Sequence, residues 1–317
     1  MLKLFSGNRA GVLIVLPFIV LVYIYLNSLT NYYDQGTTIN FGLWGEMTNS
    51  VGLFSKILGG LLVLTNALLI NWIFNTNEFY ERNIYIPALL YVVLMSFYHS
   101  LYSIDGLLIA HTFLILLLAK LYQLGHNIDG RKTIFNCGIF AGIAATFHPP
   151  LFVMFPLYIT MVLIIRPFVF REFLLLITGI LIPTIYAVLF YQYSNHTIDF
   201  QLLKQVSEYQ KKHFDFIVTA SLFVLLFLFS LIGISAKMQK SSIRLKKLVR
   251  ILWIFVIVAV LLGGWDYLMF AQIERFSFLM LPLCFFLPFS FTTKKNQFIT
   301  MILFYLTFAY SFVNFFL

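Results

Sequence analysis

RKTIFNCGIFAGIAATFHPPLFVMFPLYITMVLIIRPFVFREFLLLITGILIPTIYAVLFYQY, Arg131–Tyr193, is the stretch on which the reading of the chain turns. Charges bracket it at Arg131-Lys132 and recur at Arg166 and Arg171-Glu172, and apolar runs fill the intervals. The first long run is interrupted by His148-Pro149-Pro150. That layout predicts two short membrane spans folded as a hairpin, with the basic ends on one face and the His-Pro-Pro turn on the other. A third span leaves from Glu172. Gly138-Ile-Phe-Ala-Gly142, continued by Ala145, is a small-residue pattern that lets membrane helices bring their backbones together. The two hairpin spans have about 15–17 residues each, whereas about 20 cross the hydrocarbon core. They are either sheltered by other helices or form a re-entrant pair.

Composition extends this reading to the whole chain. Hydrophobic residues make up 61% and charged residues 10%, against roughly 45–50% and 25% in soluble domains. So much apolar surface exceeds what a water-soluble core of this size can hide, so lipid must solvate most of it. The first apolar run, Gly11 to Leu26, lacks a following small-residue cleavage pattern and reads as a span, not as a signal peptide. Cys137 and Cys284 both lie inside apolar segments and read as small buried hydrophobes, not as a disulfide or metal pair. The net charge of +9 sits in short loops between spans, as membrane topology demands, with no basic groove interleaved with aromatics. Nucleic acid is therefore excluded as a partner. No Gly-rich phosphate loop, CxxC, HExxH or GxSxG motif occurs, and neither a cofactor nor a metal is expected.

Around the hairpin the remaining spans are expected at Gly11–Leu26, Val51–Phe74, Pro87–Tyr102, from the Ser103–Gly106 turn to Leu124, and at Glu172–Tyr193. Phe216–Ser235, Ile251–Leu268, Phe276–Phe291 and Phe298–Phe316 follow. With the N-terminus inside, 16 of the 21 basic residues fall on the cytoplasmic side. Losing or adding one span would reverse every later loop, so span count and orientation support each other. The fold class expected is an all-α polytopic integral membrane helix bundle of about 11 transmembrane helices, N-terminus cytoplasmic. Residues 1–317 form a single transmembrane domain, placed in the bacterial inner (cytoplasmic) membrane. Between Ser194 and Asp215, apolar residues recur at helical spacing and predict a short amphipathic helix, on the membrane surface or simply solvated. The basic run Lys237–Arg250 is expected to touch anionic headgroups or an acidic protein partner.

Ionisable groups in or near the membrane are costly, and each is a functional hypothesis. On this topology several gather at the outer face. Asp34 and Glu46 lie in the first outer loop, His99 and Asp105 flank the next turn, and His111 sits just inside its helix. His148 caps the hairpin, and Asp266, Glu274 and Arg275 surround the last outer turn. Carboxylates, imidazoles and a guanidinium on one face can bind a phosphate-bearing lipid and activate an acceptor; the bland alternative is that they meet water and headgroups. Asn66, Asn71 and Asn136 lie deeper and suit hydrogen bonds between helices.

GIFAGIAATFHPPLFVMFPLYI, followed by Arg166, Arg171-Glu172 and GILIP, resembles an uncharacterised multi-pass family of Bacteroidota that carries only a domain-of-unknown-function label. YIPALLYVVLMSFY and LLIAHTFLILLLAKLYQL fit the same resemblance, which covers Tyr85–Tyr193. More distantly, the layout is similar to the C-type glycosyltransferases, which use polyprenyl-phosphate sugars. That likeness implies an acidic catalytic residue in the first outer loop, usually one of an adjacent acid pair. Only Asp34, in Tyr33-Asp34-Gln35, and the distant Glu46 match, and no adjacent pair occurs. The leading expectation is a lipid-linked sugar transferase of envelope biogenesis, with membrane lipids and a polyprenyl-phosphate carrier as partners. Asp34 would be the general base, with Glu46 the other candidate acid. Arg275 would clamp the phosphate, and His148, Asp266 and His111 would complete the substrate site. The alternatives are a non-catalytic membrane subunit that docks envelope or secretion machinery through its GxxxG face, and, third, a transporter.

Overall fold

The computed structural model describes residues 2–29, 39–47, 53–98, 104–125, 129–194, 213–239, 241–270, 274–292, 297–313 and 315. Its helices are α1 (Leu2–Phe5), α2 (Val15–Leu29), α3 (Leu53–Thr76), α4 (Ile86–Met95), α5 (Gly106–Leu124) and α6 (Arg131–Phe147). They continue as α7 (Phe155–Ile165), α8 (Phe170–Tyr193), α9 (His213–Gln239), α10 (Ile243–Phe270), α11 (Met280–Thr292) and α12 (Gln297–Val313). One antiparallel pair interrupts this pattern, β1 (Ile39–Asn40) against β2 (Glu46–Met47), with Ile39 opposite Met47 and Asn40 opposite Glu46.

Among the described residues six helical segments are long and apolar enough to cross a membrane: Ala10–Leu29, Phe54–Thr76, Gly106–Leu124, Phe170–Tyr193, Ala220–Gln239 and Ile243–Leu268. The chain is accordingly built as a multi-pass membrane protein. The shorter apolar helices are Ile86–Met95, Pro149–Ile165, Arg275–Phe291 and Gln297–Val313. With α6 added, helical segments among the described residues follow the order of the expected spans, and six of them have the length and apolarity to cross. Long and short helices take different places. Residues Leu181, Ile185 and Leu189 make an exposed apolar stripe on α8, as do Val224, Leu228 and Ile232 on α9. At a spacing of four they share one face of each helix, suited to lipid.

The short helices are inside. Every residue of α4 is buried, and so is almost all of α11. At about 1.5 Å per residue α4 is only ~15 Å long, half of a bilayer core of ~30 Å. Its open ends tolerate that depth because protein surrounds them: α4 packs on α3, α11, α2 and α12. The expected span Pro87–Tyr102 is thus shorter than its apolar run suggests. Pro87 sits in the first turn of α4, where a missing N–H costs little.

The hairpin is confirmed in outline. α6 ends at Phe147, His148 takes an extended conformation, and Pro149–Met154 form a 3-10 turn leading into α7. Gly138 and Gly142 lie against the backbone of α8. A Cβ at Gly142 would stand 2.6 Å from the carbonyl oxygen of Ile180. One at Gly138 would overlap the carbonyl of Leu176. Gly179 answers from α8, where a Cβ would lie 2.5 Å from the carbonyl of Phe135.

The basic run after Lys237 is largely helical, because α10 begins at Ile243 and contains Arg244, Lys246, Lys247 and Arg250. Several of its cations also bind within the protein. Lys237 pairs with Glu81 at 3.0 Å and lies over the Tyr80 ring, and Arg244 donates to Asn77 Oδ1 at 3.0 Å. Lys247 donates to the carbonyl of Ile165 at the end of α7, at 2.9 Å. Opposite α10 Arg166 pairs with Glu172 at 3.3 Å. The proposed amphipathic helix falls mostly on residues 195–212, outside the described residues.

Candidate functional site

The site forms where a second 3-10 turn, Glu274–Leu279, folds back on α10 before α11 begins. Gly263 makes the approach possible, because a Cβ there would stand 2.6 Å from the Phe276 ring. The turn directs Arg275 to Asp266, and both Ser277 and Phe278 to His111. Arg275 Nη1 lies 2.9 Å from Asp266 Oδ1, with the side chains only 4% and 1% exposed. Ser277 Oγ lies 3.1 Å from His111 Nε2 on α5. The Phe278 ring stacks on the His111 imidazole with centroids 4.8 Å apart, and makes an edge contact with His148 at 5.5 Å.

The polar chain continues inward. Tyr91 Oη stands 3.5 Å from His111 Nδ1, and Asn66 Nδ2 donates to Tyr91 Oη at 3.3 Å. Helices α3, α4 and α5 and the 3-10 turn are therefore joined by Asn66, Tyr91, His111 and Ser277, all of them buried. Unpaired polar groups at this depth would cost several kcal/mol, so the chain fixes the register of these elements.

Above it lies the segment 39–47. Gly42 has φ +66°, a conformation that suits glycine, and a Cβ there would stand 2.5 Å from the Thr146 carbonyl oxygen. A Cβ at Gly106 would meet the carbonyl oxygens of Phe147 at 2.5 Å and Asn40 at 2.8 Å. Trp44 Nε1 donates to Thr146 Oγ1 at 3.1 Å, and its ring packs on Phe147 and Phe190. The first loop is thereby seated on the end of α6, one residue before His148, and on the start of α5. There Asp105 caps α5, its Oδ1 accepting from the Gly106 amide at 2.6 Å. Burial pushes the Asp105 carboxyl up to about 6, against the lowering pull of the Gly106 and Leu107 amides.

Of the residues singled out in the sequence, His111, His148, Asp266 and Arg275 gather around Phe278 and its 3-10 turn. Glu46 belongs to β2, opposite Asn40. Asp34 and His99 lie outside the described residues. Asn66 makes the interhelical bond expected of it, whereas Asn71 lines a surface groove. The reading missed Tyr91, Ser277 and Phe278. Nothing in their spacing sets them apart from the surrounding apolar sequence; the one available signal was the nearness of Ser277 and Phe278 to Arg275. Among the described residues no three His, Cys, Asp or Glu side chains are grouped to hold a metal ion.

Chemically, this is a closed arrangement. The Arg275 guanidinium is a fork of donors shaped for a carboxylate or a phosphate, and Asp266 occupies it. An anion reaching Arg275 would have to displace that carboxylate. No family model, curated protein or solved structure matches the chain.

Proposed function

We propose that the protein crosses the bacterial inner membrane 11 times from a cytoplasmic N-terminus and transfers a sugar from a polyprenyl-phosphate carrier at its outer face, in envelope biogenesis. The observation that carries this reading is the Asp266–Arg275 pair, held beside His111 and His148 beneath the loop that follows Asp34. Arg275 is the phosphate clamp, with Asp266 its resting counter-ion. His148 contacts the headgroup beside His111. Asp34 is the general base for the acceptor, with Glu46 the second candidate. The topological part rests on the 16 basic residues that fall on one side.

The test is complementation of a deletion strain, with membrane levels checked by immunoblot. Asp34→Asn removes the base, and should lower the transfer rate by roughly 10²–10⁴-fold. The paired change Asp266→Asn with Arg275→Gln removes the clamp while leaving no unpaired charge. Loss of complementation by both, at normal protein levels, is the expected result. Full complementation by both overturns the enzyme reading and leaves the non-catalytic subunit in front.

A further inference from the structure

Far from the Asp266–Arg275 pair, at the end of the bundle where Lys237 meets Glu81, a groove of about 570 Å³ opens between the 3-10 turn Ala10–Ile14, the last turns of α3 and the loop before α4. Asn71 and Trp72 each stand three or four residues from Leu68 and from Asn75, so the four share one side of α3. That face lines the groove, with Leu13 and Asn83 opposite. Its chemistry is graded along the helix, from Leu68 at the apolar end to Asn75 at the polar end. The Asn75 amide is engaged at both ends, donating to the Ile84 carbonyl at 3.0 Å and accepting from the Ile84 amide at 3.2 Å. Asn71 differs: it is 4% exposed, and among the described residues its Oδ1 has no hydrogen-bond partner. That oxygen is itself shut off from open space, so Asn71 adds polarity to the groove wall and no free acceptor.

The rim supplies charge. Arg9 precedes the 3-10 turn that bears Leu13, and Arg82 precedes Asn83; both are exposed. Of the acids on the same loop, Glu81 is drawn to Lys237 and Glu78 is left, so the rim is net positive. Trp72 is half exposed beside it, the place an indole takes at a membrane interface.

We infer that this groove binds one anionic phospholipid of the leaflet at that end. Its phosphate faces Arg9 and Arg82, and an acyl chain runs along Trp72, Leu68 and Leu13. The inference does not depend on the transferase reading. Each arginine near a charged headgroup favours binding by about fivefold.

The test uses the purified full-length protein in mixed micelles, with phosphatidylglycerol or phosphatidylcholine brominated on the acyl chains as quencher. The Trp72 signal is the difference between the native protein and Trp72→Phe. Phosphatidylglycerol should quench it at a mole fraction well over tenfold lower than phosphatidylcholine. Arg9→Gln combined with Arg82→Gln should abolish that preference. Equal quenching of the native protein by the two lipids would mean that Trp72 faces bulk lipid, and overturns the inference before any variant is made. Retention of the preference in the double variant, in protein that melts normally, overturns it as well.

Discussion

Arg275 Nη1 sits 2.9 Å from Asp266 Oδ1 across the break between α10 and the 3-10 turn that follows it, both side chains almost wholly buried. A pair so enclosed gains little net stability over an apolar pair, but losing one partner strands a charge. Removing a single member of such a pair costs about 3–5 kcal/mol. Arg275→Ala and Asp266→Ala should each lower the melting temperature in detergent steeply. Asp266→Asn with Arg275→Gln should restore most of the loss. Thermal melts of the three variants give the answer. Similar melts for single and double variants would show that the two side chains do not act as a pair.

The glycine contact between α6 and α8 gives a second expectation. Gly138→Leu, Gly142→Leu and Gly179→Leu each drive a side chain into backbone of the facing helix, and overpacking of this kind costs 1–3 kcal/mol or more. Ile139 is half-buried and already carries a side chain of leucine's volume. Ile139→Leu should therefore melt like the native protein, and the three glycine variants clearly lower. An undisturbed Gly179→Leu would contradict the close approach, since Gly179 meets α6 from the other side.

The α6–α8 contact was half legible in the sequence. GxxxG announced one partner, but Gly179 in Thr178-Gly179-Ile180 belongs to no repeat and becomes meaningful only once the helices are docked. The apolar runs and their charged brackets announced each helical segment, because hydrophobicity is a local property. Depth is not local. Ile86–Met95 and Leu181–Leu189 are equally apolar, yet one is enclosed and the other faces outward, and the difference lies in their neighbours. The same holds for the site. His111, His148, Asp266 and Arg275 drew notice because charge or imidazole in lipid is expensive, whereas Tyr91, Ser277 and Phe278 are ordinary membrane residues until the turn brings them to His111. The helical start of α10 at Ile243 was hidden because basic residues reading as a loop sit equally well on a helix whose Lys and Arg reach protein partners.

Topology can be read with single cysteines, because Cys137 and Cys284 are both buried and give little background. Ser242 and Ser194 are exposed and fall on opposite sides of the membrane in the proposed orientation. A membrane-impermeant thiol reagent applied to intact cells should label Ser194→Cys, and label Ser242→Cys only after the membrane is opened. Equal labelling of both from outside overturns the orientation.

Asp105 gives a pH signature. Its carboxyl titrates at about 6 in the folded protein, against about 3.9 in an unfolded chain. Between those values the folded state holds the proton more firmly, so this group's contribution to stability is greatest below about pH 4. It declines as pH rises through about 6 and is constant above. Asp105→Asn keeps an oxygen to accept from the Gly106 amide but carries no charge at any pH. It should therefore flatten the part of the melting profile between about pH 4 and 6. Above pH 6 it should stabilise the protein, because the variant avoids a half-buried carboxylate, less whatever that charge contributes at the start of α5. Melting temperatures of both proteins in one detergent, measured across that window, decide the matter. Parallel profiles would mean that Asp105 reaches water freely and that the segment 39–47 leaves the start of α5 open.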